Sequence, residues 1–188
     1  MASYKVRIKG TAPLLQHRYP MPDEEEAFKK RCEEEGLDPK KTSNIEASWY
    51  HHNGGGAFIP AEHIKGAIVG AGRGEKVSGR GNATWNNLLK IGVAVIPAEV
   101  SFIPPKKTYD FVDQRYCKVQ TSRVLRERPA FNIGWEAEFV LEADAEIDEK
   151  NLAKFMRKAG RRGVGDYRPE KGGGFGTFEV MEFERIND

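Results

Sequence analysis

The 188 residues carry 39% hydrophobic side chains, enough to close one core, and the chain is too short for two full domains. Thirty Lys and Arg against 28 Asp and Glu leave a formal charge of only +2, which excludes a global polycation, so any surface for nucleic acid must come from segregated charge. Two cysteines, Cys32 and Cys117, exclude a disulfide scaffold and form no metal-ligand pattern. No apolar run approaches membrane-spanning length and the start lacks a signal-peptide core, so a soluble, cytoplasmic protein with reduced thiols is expected.

Tyr4 to Gly10 alternates apolar and basic residues, the pattern of a half-buried strand whose outer side presents Lys5, Arg7 and Lys9. Such a face can meet phosphate, although charged outer faces are ordinary on strands. Pro13 and Pro20 then bracket a polar, aromatic loop containing His17, Arg18 and Tyr19. His17 is the acid/base candidate of the chain. No partner for it is identifiable by spacing, and a lone histidine is more often structural or a ligand contact. Residues 23–41 read as a surface helix rich in Glu24, Glu25, Glu26, Glu33, Glu34 and Glu35, with Glu25–Lys29 and Glu26–Lys30 at i, i+4. The adjacent His51 and His52 would point to opposite faces of a strand and lack a third ligand at metal spacing, so no metal is expected.

After Phe58-Ile59-Pro60, the residues Ile64, Ala67, Ile68 and Ala71 fall at i, i+3, i+4, i+7 and predict a core-facing helix. Gly70 to Gly74 lacks the spacing of both nucleotide-binding glycine motifs, and no cofactor is expected. Lys65, Arg73, Lys76 and Arg80 remain available to a polyanion. Trp85, Leu88 and Leu89 mark a short helix, and Val93, Val95 and Val100 to Ile103 read as strand. From Lys106 to Pro129 a projecting segment interleaves Tyr109, Phe111 and Tyr116 with Lys106, Lys107, Arg115, Lys118, Arg123, Arg126 and Arg128. Cations that follow a backbone and rings that stack on bases are what single-stranded nucleic acid requires. A hairpin with inward rings and solvated cations is the alternative reading of the same residues.

Trp135, Ala137, Phe139 and Leu141 alternate as a strand and lead to the stretch that carries most of the functional signal. Leu152, Phe155, Met156 and Ala159 predict a helix capped by Asp148, with Ile147 stapled to Leu152 and with Gly160 or Gly163 as its stop. Its exposed side and C-terminal end hold Lys154, Arg157, Lys158, Arg161 and Arg162. Arg168 and Lys171 follow beside Gly172-Gly173-Gly174-Phe175-Gly176, a loop whose backbone can approach a phosphate. The same residues also suit a solvated helix end, because helix C-termini attract cations. Phe178, Val180 and Phe183 make the last strand.

The order is β-α-β-β-α-β, an α+β, ferredoxin-like and RNA-recognition-like core in one domain over residues 1–188, with insertions at about 11–57 and 104–130. Within it, Ile59-Pro60-Ala61-Glu62-His63-Ile64-Lys65-Gly66-Ala67 resembles the opening of the first helix in the RAMP superfamily of CRISPR-associated proteins. Gly172 to Gly176 resembles that superfamily's glycine-rich loop, and the 104–130 insertion is similar in place to its projecting thumb. His63 stands where those proteins usually carry serine, and Val69 or Gly70 where they carry an arginine. The resemblance implies a small relative, such as one encoded by a phage or other mobile element, that binds single-stranded nucleic acid as a head-to-tail homo-oligomer.

The expectation is a non-catalytic binder of single-stranded RNA or DNA. Its contacts would come from Arg161, Arg162, Arg168, Lys171, Gly172, Gly173, Gly174 and Phe175, from Arg115, Lys118, Arg123 and Arg126, and from Lys65 and Arg73. One alternative is a metal-independent endoribonuclease with His17 as general acid/base and Tyr19 or Lys65 steadying the scissile phosphate. The other is an assembly or inhibitor module that grips a protein through the acidic segment and the projection.

Overall fold

A computed structural model describes residues 1–52, 55–119 and 122–186, apart from the side chains of Lys118, Val119 and Ser122. Strand β1 (Ala2–Gly10) lies at the centre of the main sheet because its alternation gives it one apolar face, Tyr4, Val6 and Ile8, all buried. On one side it pairs antiparallel with β8 (Glu136–Ala143), placing Val6 opposite Phe139 and Ile8 opposite Ala137. On the other it pairs with β9 (Phe178–Ile186), with a register shift between Arg7 and Ile8.

The far edge of β8 takes two short strands in succession, β4 (Val93–Ile96) and β5 (Glu99–Ile103), where Pro97 interrupts one extended run. Strand β3 (Phe58–Pro60) pairs in turn with β5. Counting β4 and β5 as one broken strand, the order is β9–β1–β8–β4/β5, the 4-1-3-2 arrangement of a ferredoxin-like α+β core.

Helices α2 (Ala61–Ala71) and α4 (Glu149–Arg162) lie side by side over the apolar face, with Ile64, Ile68, Leu152, Phe155 and Met156 in one cluster with the sheet. Asp148 caps α4 as its sequence predicts, accepting from the Asn151 N–H at 2.9 Å. Helix α3 (Trp85–Gly92) closes the end of the core by setting Trp85 5.1 Å from the Phe155 ring. Of the two glycines expected to end α4, Gly163 does so and Gly160 stays inside the helix. Its missing side chain lets α4 settle on the start of β9.

The two insertions form the second layer. Strands β6 (Phe111–Val119) and β7 (Ser122–Phe131) make a long hairpin, tied to the body at its root where Leu14 and Leu15 of β2 (Leu14–Leu15) pair with Phe131 and Ala130. Its outer part stands clear of the core, with Tyr116 71% exposed. Helix α1 (Pro22–Glu35) ends earlier than the charge pattern predicts, because Gly36 adopts the left-handed conformation that closes a helix (φ 69°). It buries Phe28 and Cys32 and is tied back by the Arg18 guanidinium donating to Glu24 at 2.6 Å.

A Cβ on Gly160 would sit 2.1 Å from the Phe178 carbonyl oxygen, whereas one on Gly66, exposed on α2, would meet nothing. Gly160→Ala should therefore lower the unfolding free energy by about 1–3 kcal/mol. Gly66→Ala should raise it by about 0.5–1 kcal/mol, both read from urea midpoints at unchanged m-value.

Candidate nucleic-acid interface

The cations of α4 do not form one patch, since a 100° step per residue sends neighbours to different surfaces. Lys154 bonds Glu75 at 2.6 Å and Lys158 bonds the same carboxylate. Arg162 leans over α2 to Glu170 at 2.6 Å. Arg157 and Arg161 turn the other way, into a 560 Å³ depression lined also by Thr11, Thr177, Phe178 and Glu179. Arg161 and Arg162 are thus adjacent in sequence and separate in use.

Beyond Gly163 the chain doubles back on itself. Val164 donates to the Gly176 carbonyl at 2.9 Å, Gly176 donates to Pro13 at 2.8 Å, and Asp166 donates to Leu15 at 2.8 Å. Gly173 and Gly176 are packing positions: a Cβ would lie 1.7 Å from the Tyr167 carbonyl oxygen and 1.8 Å from that of Val164. Gly172 and Gly174 face open space. Among the described residues the Gly174 N–H has no acceptor, so the loop offers an anion one unpaired amide on an exposed glycine and the exposed Lys171. Tyr167, at φ 48°, is the one non-glycine residue described with a positive φ, a strained conformation of the kind found at functional sites.

The hairpin root closes over this loop through cation–ring contacts. The Arg115 guanidinium lies 4.5 Å from the Phe175 centroid and 5.3 Å from that of Tyr167, held in place by Asp113 at 2.6 Å. Arg128, 3% exposed, lies 5.7 Å from the Tyr167 centroid. It donates through Nε to Asp166 at 2.6 Å and through Nη2 to Cys117 Sγ at 3.3 Å. Burial pushes the Asp166 carboxyl up, but the hydrogen bonds from Arg128 and the Tyr167 N–H, with the charges of Arg128 and His17, hold it below the usual range. Arg73, Arg162 and Arg168 meet at Glu170 on the turn Pro169–Lys171, and Arg168 is also fixed to the Gly165 carbonyl at 2.9 Å.

Arg126 sits directly opposite Arg115 in the hairpin register. It shares a 330 Å³ pocket with His17, Tyr19 and Leu125. Arg123 and Tyr116 extend the basic and aromatic character along the exposed hairpin, while the Lys118 side chain lies outside the described residues. Tyr109 turns inward, 5.8 Å from the Trp49 ring, and bonds Glu46 at 2.9 Å. Lys65 is half-buried on α2 and absent from the His17 pocket lining. Sequence reasoning missed Asp166, Tyr167 and Glu170, and it counted Arg128 only among the cations of the projection; the run Gly165-Asp166-Tyr167-Arg168-Pro169, polar residues between a glycine and a proline, was the local sign of an ordered loop.

On the outer face of the main sheet the cations are paired with carboxylates. Lys5 pairs with Glu138 at 3.2 Å, Arg7 with Glu136 at 2.7 Å, and Lys9 with Glu136 at 3.1 Å. Glu142, Glu179, Glu182 and Glu184 share that face, which is therefore net acidic. His52 pairs with Glu99 at 2.7 Å and His51 stacks on Trp49. Among the described residues no three ligand-type side chains converge for a metal, and no helix is long and apolar enough to cross a membrane.

Burial holds His17 below its ordinary pKa, with Arg126 and Arg128 adding to the effect against Asp166; burial and Arg168 do the same to His63. Above the unfolded histidine value of about 6.5 both states are neutral, so the two histidines cost nothing there. Below it the unfolded chain takes up protons first, and stability falls with pH until the folded values are reached. The urea midpoint should drop between pH 7.5 and 5.5, and His17→Asn with His63→Asn should flatten that drop.

No protein-family model matches the chain, and no curated protein sequence does. Among solved structures, its fold matches a chain of the type III-B Cmr-beta, determined by cryo-EM bound to cognate target RNA, with a TM-score of 0.58 at 14% identity. The match covers 99% of this chain and 61% of that one, so the present chain spans about three-fifths of its neighbour's length. At 14% identity this is a likeness of fold alone, and it extends over nearly the whole of this chain.

Proposed function

We propose that this protein binds single-stranded RNA or DNA without cleaving it, along a track from Arg73 and Arg162, over Arg168, to the hairpin. The observation that carries this reading is the unbroken series of contacts linking these cations. Arg73, Arg162 and Arg168 share Glu170; Arg168 is fixed to Gly165, beside the Asp166 that holds Arg128; Arg128 and Arg115 share the Tyr167 ring. Phosphates would follow the guanidiniums, Lys171 and the Gly174 amide, while Tyr116 offers an open ring for stacking. The acidic outer sheet face keeps the strand on this side, and the RNA-bound state of the neighbouring fold agrees with the class of ligand. A head-to-tail oligomer would extend the track from copy to copy along the strand.

A second reading rests on the His17 pocket. There a histidine kept neutral by burial, with Tyr19 and Arg126 at hand, would act as the base of a metal-independent endoribonuclease.

Fluorescence anisotropy of labelled single-stranded RNA, single-stranded DNA and duplex at two salt concentrations tests the first reading, and a gel of the recovered RNA tests the second. Single strands should bind with steep salt dependence and remain intact. Arg126→Ala and Lys171→Ala should each reduce the log–log salt slope by about 0.7, the share of one phosphate contact. Tyr116→Ala should weaken binding by about 1–3 kcal/mol with the slope unchanged. RNA cleavage that disappears in His17→Ala would establish the nuclease instead, and absence of binding at low salt would leave a protein partner.

A further inference from the structure

Two of the three arginines around Glu170 are held from behind. Arg162 lies across Gly70 of α2, where a Cβ would come within 2.8 Å of its Nε. That Nε is buried and without an acceptor among the described residues. Arg168 is anchored by the Gly165 carbonyl. Glu170, by contrast, belongs to a one-turn segment, Pro169–Lys171, followed by Gly172 in the left-handed conformation and by the open Gly174. Its carboxylate accepts from Arg162 at 2.6 Å and Arg73 at 3.1 Å, and lies 3.4 Å from Arg168. Three positive charges against one leave an excess of two at a single point. Arg162 and Arg168 are fixed, whereas Arg73, its side chain 68% exposed, and the anion on its one-turn segment are the parts that can move.

Resting on the single-strand reading above, we propose that Glu170 is an internal stand-in for phosphate: it fills the Arg73–Arg162–Arg168 seat in the free protein and yields it to a backbone phosphate of the bound strand. A phosphodiester presents its charge over more than one oxygen and suits the forked donors of several arginines better than one carboxylate does. Occupancy by Glu170 keeps the seat closed for part of the time and lowers the apparent affinity by that fraction. It also screens the cluster from small anions. The bland alternative is a clasp: Glu170 merely staples the loop to α2 and α4, and its loss would loosen the loop and weaken binding. The two readings predict opposite signs.

The test is anisotropy with a labelled single strand at fixed salt, using wild type, Glu170→Gln, Arg162→Met and the double variant, with folding checked by circular dichroism. Glu170→Gln should bind about three- to tenfold tighter, the factor expected if the seat is open in a tenth to a third of free molecules. The gain should vanish in the Arg162→Met background. Glu75→Gln, which removes the same charge beside Lys154 and Lys158, should give a smaller gain. Affinity of Glu170→Gln equal to or weaker than wild type overturns the proposal, as does a gain that survives Arg162→Met or is matched by Glu75→Gln. Should Glu170→Gln lose its fold, the wild-type protein still decides: on saturation with the strand the Arg162 Nε–H resonance must shift, and its staying in place overturns the stand-in role. If wild type binds no strand at any salt, the single-strand reading fails on its own account. Inorganic pyrophosphate then probes the seat, with equal affinity for wild type and Glu170→Gln overturning the proposal.

Discussion

Backbone lies directly on backbone from Gly160 to Gly176, and the position of every other part of the site follows from that contact. Gly160 lets α4 rest on the Phe178 carbonyl, and Gly176 and Gly173 let the loop close on Val164 and Tyr167 with no side chain between. Because the loop is pinned at Pro13 and Leu15, it is fixed relative to β1 and β2. Asp166, Tyr167 and Phe175 are thereby presented to the hairpin as a rigid surface. The strained φ of Tyr167 is maintained by this network, since a single residue held at positive φ persists only where its surroundings determine it.

The hairpin root is held to the body by its two-residue pairing with β2, by the Gln16 N–H donating to the Pro129 carbonyl at 3.0 Å, and by Phe131, buried 4.5 Å from the Phe102 ring. Arg128 ties it to the loop: buried to 3% exposure and charged, it requires the Asp166 carboxylate, which in turn is placed by the loop. Arg115 adds a stacked contact on Phe175 and Tyr167. The glycine loop therefore helps to set the angle of the projection, and loop and hairpin form one structural unit although the Arg128–Asp166 pair that joins them spans 38 residues of sequence.

The elements that depend on local pattern were legible in the sequence. The alternation of β1 and β8, the i, i+3, i+4, i+7 faces of α2 and α4, and the Asp148 cap each follow from neighbours a few residues apart, and together they give the ferredoxin-like order. What the sequence did not disclose is where the charges are spent. Lys9 and Glu136, or Lys158 and Glu75, meet only after the chain has folded. Glycines pose the same difficulty in another form. A glycine serves equally to admit a ligand or to admit the chain's own backbone, and Gly172-Gly173-Gly174 contains both kinds: Gly173 is committed to packing, while its neighbours are open.

Topology alone does not decide what the sheet face can bind. RNA-recognition domains of this strand order use the open sheet surface, where aromatic side chains stack on bases. Here that surface sets Lys5, Arg7 and Lys9 against six glutamates, Glu136, Glu138, Glu142, Glu179, Glu182 and Glu184. A polyanion is repelled there whatever the backbone order, because side-chain charge and not strand connectivity decides what a face can bind. The small net charge of +2 is thus the sum of two unlike surfaces. An acidic sheet face on one side and an arginine-lined loop and hairpin on the other give the molecule a charge asymmetry, and the field of that asymmetry favours the loop side for any polyanion.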